Sequence, residues 1–409
     1  MSSTTLARHR DFLKLWSAQT VSLFGSLITR AALPFLAILV LQATPGQIAA
    51  LRIADLLPGF LIGLIAGVFL DRVRRRPVMI MSDLGRAVAL GLVPMLAFTG
   101  HLSLLAIYLV AIAASLLTVF FEVAEQSYIP SLVHREELVE ANSRLTATQS
   151  VAEISAFGAA GWLVQLFTAP VAIAIDAATF LISATFVALI RTPEPPPTER
   201  IERPNLWREM VDGLGALNAD QSLRAMALSF ASMSLAFGIL GTVYALYALR
   251  DLGFEPGPLG LVYAVGGVSS LGASLLTRRL NRGLGLGPAM IAGLTLGAAG
   301  IMLLPLARGA GVVAYLLLMG QQLVGDGGLA LFGINLMSLR QSIAPPALLG
   351  RINAGTRAAA VGATLVGTLL GGALGQAIGY RLTLLIAAAA LLAGALGLLR
   401  SPVAVRRAA

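Results

Sequence analysis

The chain has 409 residues, 57% of them hydrophobic and only 12% charged, with a mean hydropathy of +0.84. Soluble domains carry about 25% charged residues, so this composition excludes one. Cysteine is absent, which excludes a disulfide framework, thiol catalysis and cysteine metal centres.

Twelve apolar runs are long enough to cross a bilayer, which takes roughly 20 residues. The start, MSSTTLARHRDFLK, is polar and basic, and the run after it is too long for a signal-peptide core, so no cleaved leader is expected. Trp16 reads as an interface anchor. The first span covers about 15–41, with Pro34 weakening its outer half. The second, 47–70, follows the turn signal Pro45-Gly46. Between it and the third span, 77–99, lies GVFLDRVRRRP, residues 67–77, whose charge density requires an aqueous turn. The fourth span, 103–125, runs into FFEVAEQSYIP. The charged SLVHREELVEANSR after it reads as a short amphipathic helix on the membrane surface. Spans five and six cover 145–166 and 169–190. Residues 191–220 open with RTPEPPPTERIERP, too rich in proline and charge to be buried, and form a linker. Six further spans follow at 222–249, 256–277, 287–307, 311–338, 354–377 and 380–400.

An internal repeat supports this division. Gln126-Ser127 is followed by Pro130 as Gln341-Ser342 is by Pro345. Asn142 precedes Gly161 by the same 19 residues that separate Asn353 from Gly372, and Arg72 and Arg76 match Arg278 and Arg282 at a constant offset of 206. The predicted fold is an all-α membrane protein of twelve transmembrane helices in two pseudo-symmetric six-helix bundles. The expected domains are a bundle over 1–190, a cytoplasmic linker over 191–220 and a second bundle over 221–409.

The net charge of +9 follows the same plan. With the amino terminus inside, 23 of the 29 Lys and Arg residues fall in cytoplasmic segments. Three lie in periplasmic loops (Arg250, Arg308, Arg381) and three inside spans (Arg30, Arg52, Arg86). The positive-inside rule therefore puts both termini in the cytoplasm. Basicity reads as topology and anionic-lipid contact, and no nucleic-acid partner is expected.

The segment GVFLDRVRRRP resembles the major facilitator superfamily signature G-x-x-x-D-R/K-x-G-R/K-R/K, found between the second and third helices. Gly67, Asp71, Arg72, Arg75 and Arg76 match it, and Arg74 stands where the family has glycine. LVEANSRL, DAATFLISA, SLRQSIAPPALLGRINA and GTLLGG resemble the drug:proton antiporter branch that holds macrolide-efflux-type proteins and the enterobactin exporter. The resemblance implies a secondary active transporter, not an enzyme, in a bacterial inner membrane. It implies export of an amphipathic small molecule by proton antiport through alternating access. A siderophore or lysophospholipid carrier, or a non-transporting, scramblase-like protein on the same fold, are the alternatives. Its partners would be that substrate, protons and the lipid bilayer, with the chain acting as a monomer. It further implies a conformational latch at Gly67, Asp71, Arg72, Arg75 and Arg76, with the Asp71 carboxylate at the amino end of helix 11. Thr277 stands where the second-half copy of Asp71 would be, so no symmetric latch is expected. At the positions of the antiporter glycine motif, helix 5 has Ala156, Phe157, Ala160 and Gly161, so its proline is lost and one glycine remains, while helix 11 keeps more of it in Gly367, Thr368, Gly371 and Gly372. Small residues there permit close helix approach.

Ionisable side chains inside spans are costly, about 2.5–3.5 kcal/mol each on insertion scales, and mark functional candidates. Arg30 and Asp55 lie at similar depths on helices 1 and 2, and Arg52 is one turn from Asp55. They read as a substrate or proton site, or as a structural pair that offsets its own burial. Asp326 lies near the middle of helix 10 with no basic residue near it on that helix, beside Gln321, Gln322 and the glycines of GDGG, and reads as a proton-coupling or substrate carboxyl, or as a group that water or backbone opened by those glycines satisfies. Glu122, Glu125 and Glu153 read as proton relays or as partners of loop arginines such as Arg135 and Arg144. Asp83 and Arg86 form an i,i+3 pair, and Asp176 reads as a helix cap. His9, His101 and His134 are dispersed along the chain, so no metal site is expected. No G-x-x-x-x-G-K-S/T phosphate loop occurs, so neither ATP nor another cofactor is expected to drive the cycle.

Overall fold

The computed structural model describes residues 9–70, 72–194, 213, 215, 217–218, 220–345 and 348–406. All regular structure among them is helical. Twelve helices are long and apolar enough to cross a membrane: α1 (Arg10–Leu39), α2 (Pro45–Leu70), α3 (Arg75–Phe98), α4 (Leu104–Leu132), α5 (Leu138–Phe167), α6 (Ala169–Ala188), α7 (Gln221–Leu246), α8 (Pro256–Leu284), α9 (Leu286–Leu303), α10 (Val312–Ile343), α11 (Leu349–Ala377) and α12 (Tyr380–Leu399). A π-helical turn, Tyr247–Asp251, extends α7, and another, Gln321–Asp326, lies inside α10.

Several boundaries differ from the sequence expectation, each for a local reason. Pro45 and Gly46 start α2 rather than forming a turn before it. Thr44 and Gln47 make a reciprocal capping box, with Gln47 N–H donating to Thr44 Oγ1 at 3.3 Å and Thr44 N–H to Gln47 Oε1 at 2.8 Å, and proline is at home in a first helical turn. Helix α4 runs on to Leu132, past the predicted end at 125. The expected surface helix over SLVHREELVEANSR is absent as a separate element: a single 3-10 turn at Arg135–Glu137 leads into α5. An Arg144–Glu140 ion pair of 2.8 Å supports the first turns of α5.

The chain divides into two compact units, Met1–Ala43 with Ala50–Arg203, and Thr44–Ala49 with Pro204–Ala409. In unit 1, α1 packs on α5 and α6, and α3 on α4 and α6. In unit 2, α7 packs on α11 and α12, and α9 on α10 and α12. These pairings are the same after adding six to each helix number, so the repeat seen in the residues is a repeat of packing. Glycine lets helices of unit 2 touch backbone to backbone. Gly367 and Gly371 lie against the Leu235 and Ile239 carbonyls of α7, and Gly300 of α9 against Gly325 of α10.

One corner is built alike in both units but from different residues. Thr168, between α5 and α6, has φ 81° and ψ 156°; Gly379, between α11 and α12, has φ 82° and ψ 167°. That region is open to glycine and strained for threonine.

Candidate functional site

At one end of unit 1, charges fasten three helix ends to the segment leaving α6. Glu194 accepts the backbone N–H groups of Arg75 and Arg76, the latter at 3.2 Å, and pairs with the Arg75 guanidinium at 3.5 Å. A carboxylate on free N–H groups at a helix start is favoured by hydrogen bonding and by the helix dipole. Arg76 does the converse, donating to the Val187 and Ala188 carbonyls at the end of α6. Asp11 accepts from the N–H groups of Arg191 and Thr192 at 3.0 and 2.8 Å, while Lys14 reaches the Leu189 carbonyl at 2.7 Å. Of the expected latch residues, Gly67 lies in α2, Arg72 is exposed in the turn after it, and Arg75 and Arg76 are engaged within unit 1. Asp71 lies outside the described residues. The sequence reading missed Glu194 and Asp11, whose partners are distant in the chain.

Asp55 is exposed on α2, and Arg30 and Arg52 supply the positive charge facing it. Ser115 of α4 locks the same turn of α2: its hydroxyl donates to the Asp55 carbonyl and accepts from the Gly59 N–H at 3.2 Å.

The interior of unit 1 is more charged than expected. Arg86 pairs with Asp83 as the spacing predicted. Its guanidinium carbon also lies 4.6 Å from the Phe121 ring centroid and 4.1 Å from that of Phe180, a cation held between two aromatic faces. Asp176 is not a cap. Helix α6 begins at Ala169, so Asp176 falls two turns inside it, fully buried, where it accepts from Thr179 Oγ1 at 3.1 Å. The expected pairing of Glu125 with loop arginines is also corrected. Because α4 continues to Leu132, Glu125 is buried two turns before the helix end, facing Glu122, Arg86 and Asp83, and Arg144 binds Glu140 instead. Glu122 is exposed, and Glu153 is exposed on α5, accepting from Gln149 Nε2 at 3.0 Å.

In unit 2, Asp326 closes the π-helical turn of α10. Such turns recur at functional sites because they re-aim one side chain out of helical register. The Asp326 carboxylate packs over Gly266 of α8 together with Gln322. One turn further on, Ser269 of α8 donates to the Leu323 carbonyl. Tyr244 and Tyr263 stack nearby with ring centroids 5.4 Å apart, and Tyr244 faces Asp326. No guanidinium or ammonium group faces Asp326 among the described residues. Asp326 borders a narrow recess lined by Met233, Phe237, Leu240, Gln321 and Leu329, so a carboxyl meets a largely apolar space between four helices. The glycines around it serve close packing: Gly325 meets α9, Gly327 the Ser269 hydroxyl and Gly328 the Gly293 carbonyl. Sequence reasoning found Asp326, Gln321 and Gln322 but neither tyrosine, which come from other helices.

Two of the dispersed histidines meet in space. The His9 and His134 rings are 5.9 Å apart edge to face, and His9 Nε2 lies 3.3 Å from Glu137 Oε1. No group of three or more metal-ligating side chains is placed to hold an ion among the described residues.

The model of the Major Facilitator Superfamily matches residues 15–359. Macrolide efflux protein A of Streptococcus pyogenes is 31% identical over 221 residues, 53% of each chain, so the match spans about half the length of that relative. Among solved structures, a bacterial homologue of the iron transporter ferroportin in an inward-facing state superposes with a TM-score of 0.79 at 20% identity, over 99% of this chain and 100% of that one. The nucleoside transporter NupG gives 0.76 at 14% identity, over 96% of this chain and 98% of that one. Both likenesses speak to fold alone. With the family model covering most of the chain and twelve candidate spans among the described residues, this protein belongs to the Major Facilitator Superfamily and is a multi-pass membrane protein.

Proposed function

We propose that this protein exports an amphipathic small molecule of macrolide-like character from a bacterial cell in exchange for protons. It sits in the inner membrane as a monomer with both termini in the cytoplasm. Its two units alternate access to the substrate, and the turn carrying Gly67, Asp71, Arg72, Arg75 and Arg76 acts as the latch between states. The observation that carries the reading is Asp326, a carboxyl without counter-charge among the described residues that borders an apolar recess in unit 2. Such a group is far cheaper to bury neutral than ionised, so its occupancy by a proton and the reorientation of the unit are linked. Arg30 and Asp55 are the second candidate pair, and Glu122 and Glu153 the exposed carboxylates that bring protons to unit 1. The macrolide class rests on the half-length similarity to a macrolide efflux protein.

The test is transport by the purified chain in proteoliposomes with an imposed pH gradient. A macrolide, a cationic dye, a siderophore and a lysophospholipid serve as probes. Uphill movement of the macrolide or dye against a proton gradient supports the reading. Driven movement of only the siderophore or the lysolipid replaces the substrate class, and downhill lipid flipping alone sinks the antiport.

A further inference from the structure

Inside unit 1, three buried carboxyl groups share one buried guanidinium. Asp83 and Arg86 lie one turn apart on α3, Glu125 on α4 and Asp176 on α6. Asp83 and Asp176 are fully buried, and Arg86 and Glu125 are 4% and 5% exposed.

Arg86 is committed in its present position. One end of its guanidinium holds Asp83, and two phenylalanine rings enclose its faces. The other end lies 3.5 Å from Thr118 Oγ1. To pair with Glu125 it would have to leave both the rings and Asp83. Asp176 has local support from Thr179 Oγ1, and the Thr29 hydroxyl of α1 lies beside it. Glu125 has no such support: its Oε1 is buried without a hydrogen-bond partner among the described residues. The charged groups facing it are Glu122 from its own helix and Arg86 and Asp83 from α3, while Asp176 of α6 faces Arg86 and Asp83 behind them. Two acids and one already committed cation leave an ionised Glu125 uncompensated, and a buried group in that position is neutralised by binding a proton.

A second carboxyl group stands on the same helix. Glu122 precedes Glu125 by three residues, which puts both on one face of α4, and Glu122 is exposed. We propose that Glu125 is a proton-binding site of unit 1, filled and emptied through Glu122, beside an Arg86 that stays bound to Asp83. A proton passes from water to the Glu122 carboxylate and on to the Glu125 carboxylate, and leaves by the reverse path, with no other bond changed. The site lies in a different unit from Asp326. It rests on the proton-exchange reading for its use in transport, but not for its existence.

The experiment is infrared spectroscopy of the purified full chain in lipid nanodiscs, following the C=O stretch of protonated carboxyl groups through a pH titration. In the wild type, a band from a buried protonated carboxyl is expected at neutral pH. Glu125→Gln should remove it, and Asp326→Asn should leave that component in place. Glu122→Gln should keep the band and slow its exchange in deuterated buffer. If Glu125→Gln does not fold, Glu125→Asp should retain the band at a displaced frequency. A Glu125→Gln spectrum identical to wild type at every pH overturns the site, and wild-type exchange in Glu122→Gln overturns the port. A Glu125 band in a protein that shows no proton-driven transport defeats the antiport reading alone. Driven transport without the band defeats the site alone.

Discussion

The carboxylate of Asp326 rests directly on the backbone of Gly266: a methyl group there would overlap Oδ2 and lie 3.2 Å from Gln322 Nε2. The same arrangement occurs in unit 1, where a methyl at Gly25 of α1 would overlap Asp176 Oδ1. In each unit an aspartate, half-buried Asp326 in one and buried Asp176 in the other, is seated where a neighbouring helix has no side chain. A glycine in these helices is therefore part of an acid's pocket as well as a packing device.

Gly266→Ala is expected to destabilise the fold by about 1–3 kcal/mol, the usual penalty for overpacking. Removing the obstacle should restore part of the loss, so the Gly266→Ala/Asp326→Ala double variant is expected to melt above the sum of the two single changes. Thermal unfolding in detergent reads all three. Additive losses would mean that the two positions do not touch.

Arg86 carries a larger penalty because it balances buried acids. Arg86→Met should cost about 3–5 kcal/mol by leaving Asp83 uncompensated, and a paired Asp83→Leu should recover most of it. Arg86→Lys should fall between them, since an ammonium lacks the planar surface that Phe121 and Phe180 enclose. A lysine variant as stable as the wild type would show that the ring sandwich contributes nothing.

How much of this was legible in the chain follows from the range of each interaction. The spans could be read because hydropathy is local, and the Asp83–Arg86 pair because one helical turn is local. Asp326 stood out because an acid in an apolar run does so in any fold. What lay beyond reach depends on helices meeting: Phe180 over Arg86, Gly25 beneath Asp176, Tyr244 toward Asp326, and His9 against His134. Glu125 was misread because hydropathy places the end of α4 near its first charge, while the helix continues as long as its buried face finds partners. The π-helical turn at Asp326 has no sequence signal beyond the glycines that also serve packing.

The strained corner gives a prediction independent of charge. Thr168 adopts a conformation close to that of Gly379 at the matching corner of unit 2. Relief of such strain is worth about 1–3 kcal/mol, and the added freedom of glycine in the unfolded chain returns about 0.5–1 kcal/mol of it. Thr168→Gly should therefore raise the melting temperature, and Gly379→Ala should lower it. A neutral or negative effect of Thr168→Gly would mean that the corner is not strained.

Topology can be read chemically because the chain contains no cysteine. Single substitutions Thr198→Cys, in the linker, and Ala310→Cys, between α9 and α10, are expected on opposite sides of the membrane. In intact cells an impermeant maleimide should label position 310 and spare position 198 until the membrane is opened. Labelling at position 198 from outside would reverse the orientation and, with it, the direction assigned to export.

Energy coupling at Asp326 is the most exposed of the expectations. The residue has no cation against it among the described residues, borders an apolar recess and sits at the π-helical turn of α10. Asp326→Asn fixes the neutral form and removes the exchangeable proton while keeping the size of the side chain over Gly266. Folding and melting temperature should therefore change little. Counterflow exchange of substrate across proteoliposomes without a pH gradient needs no proton movement and should survive. Accumulation against a substrate gradient, driven by an imposed pH difference, should be lost, because the neutral amide cannot tell the acidic face from the alkaline one. Loss of both activities would make Asp326 a binding or structural residue instead. Driven accumulation at the wild-type level would remove it from the coupling mechanism and leave the carboxyl groups of unit 1 to carry the proton.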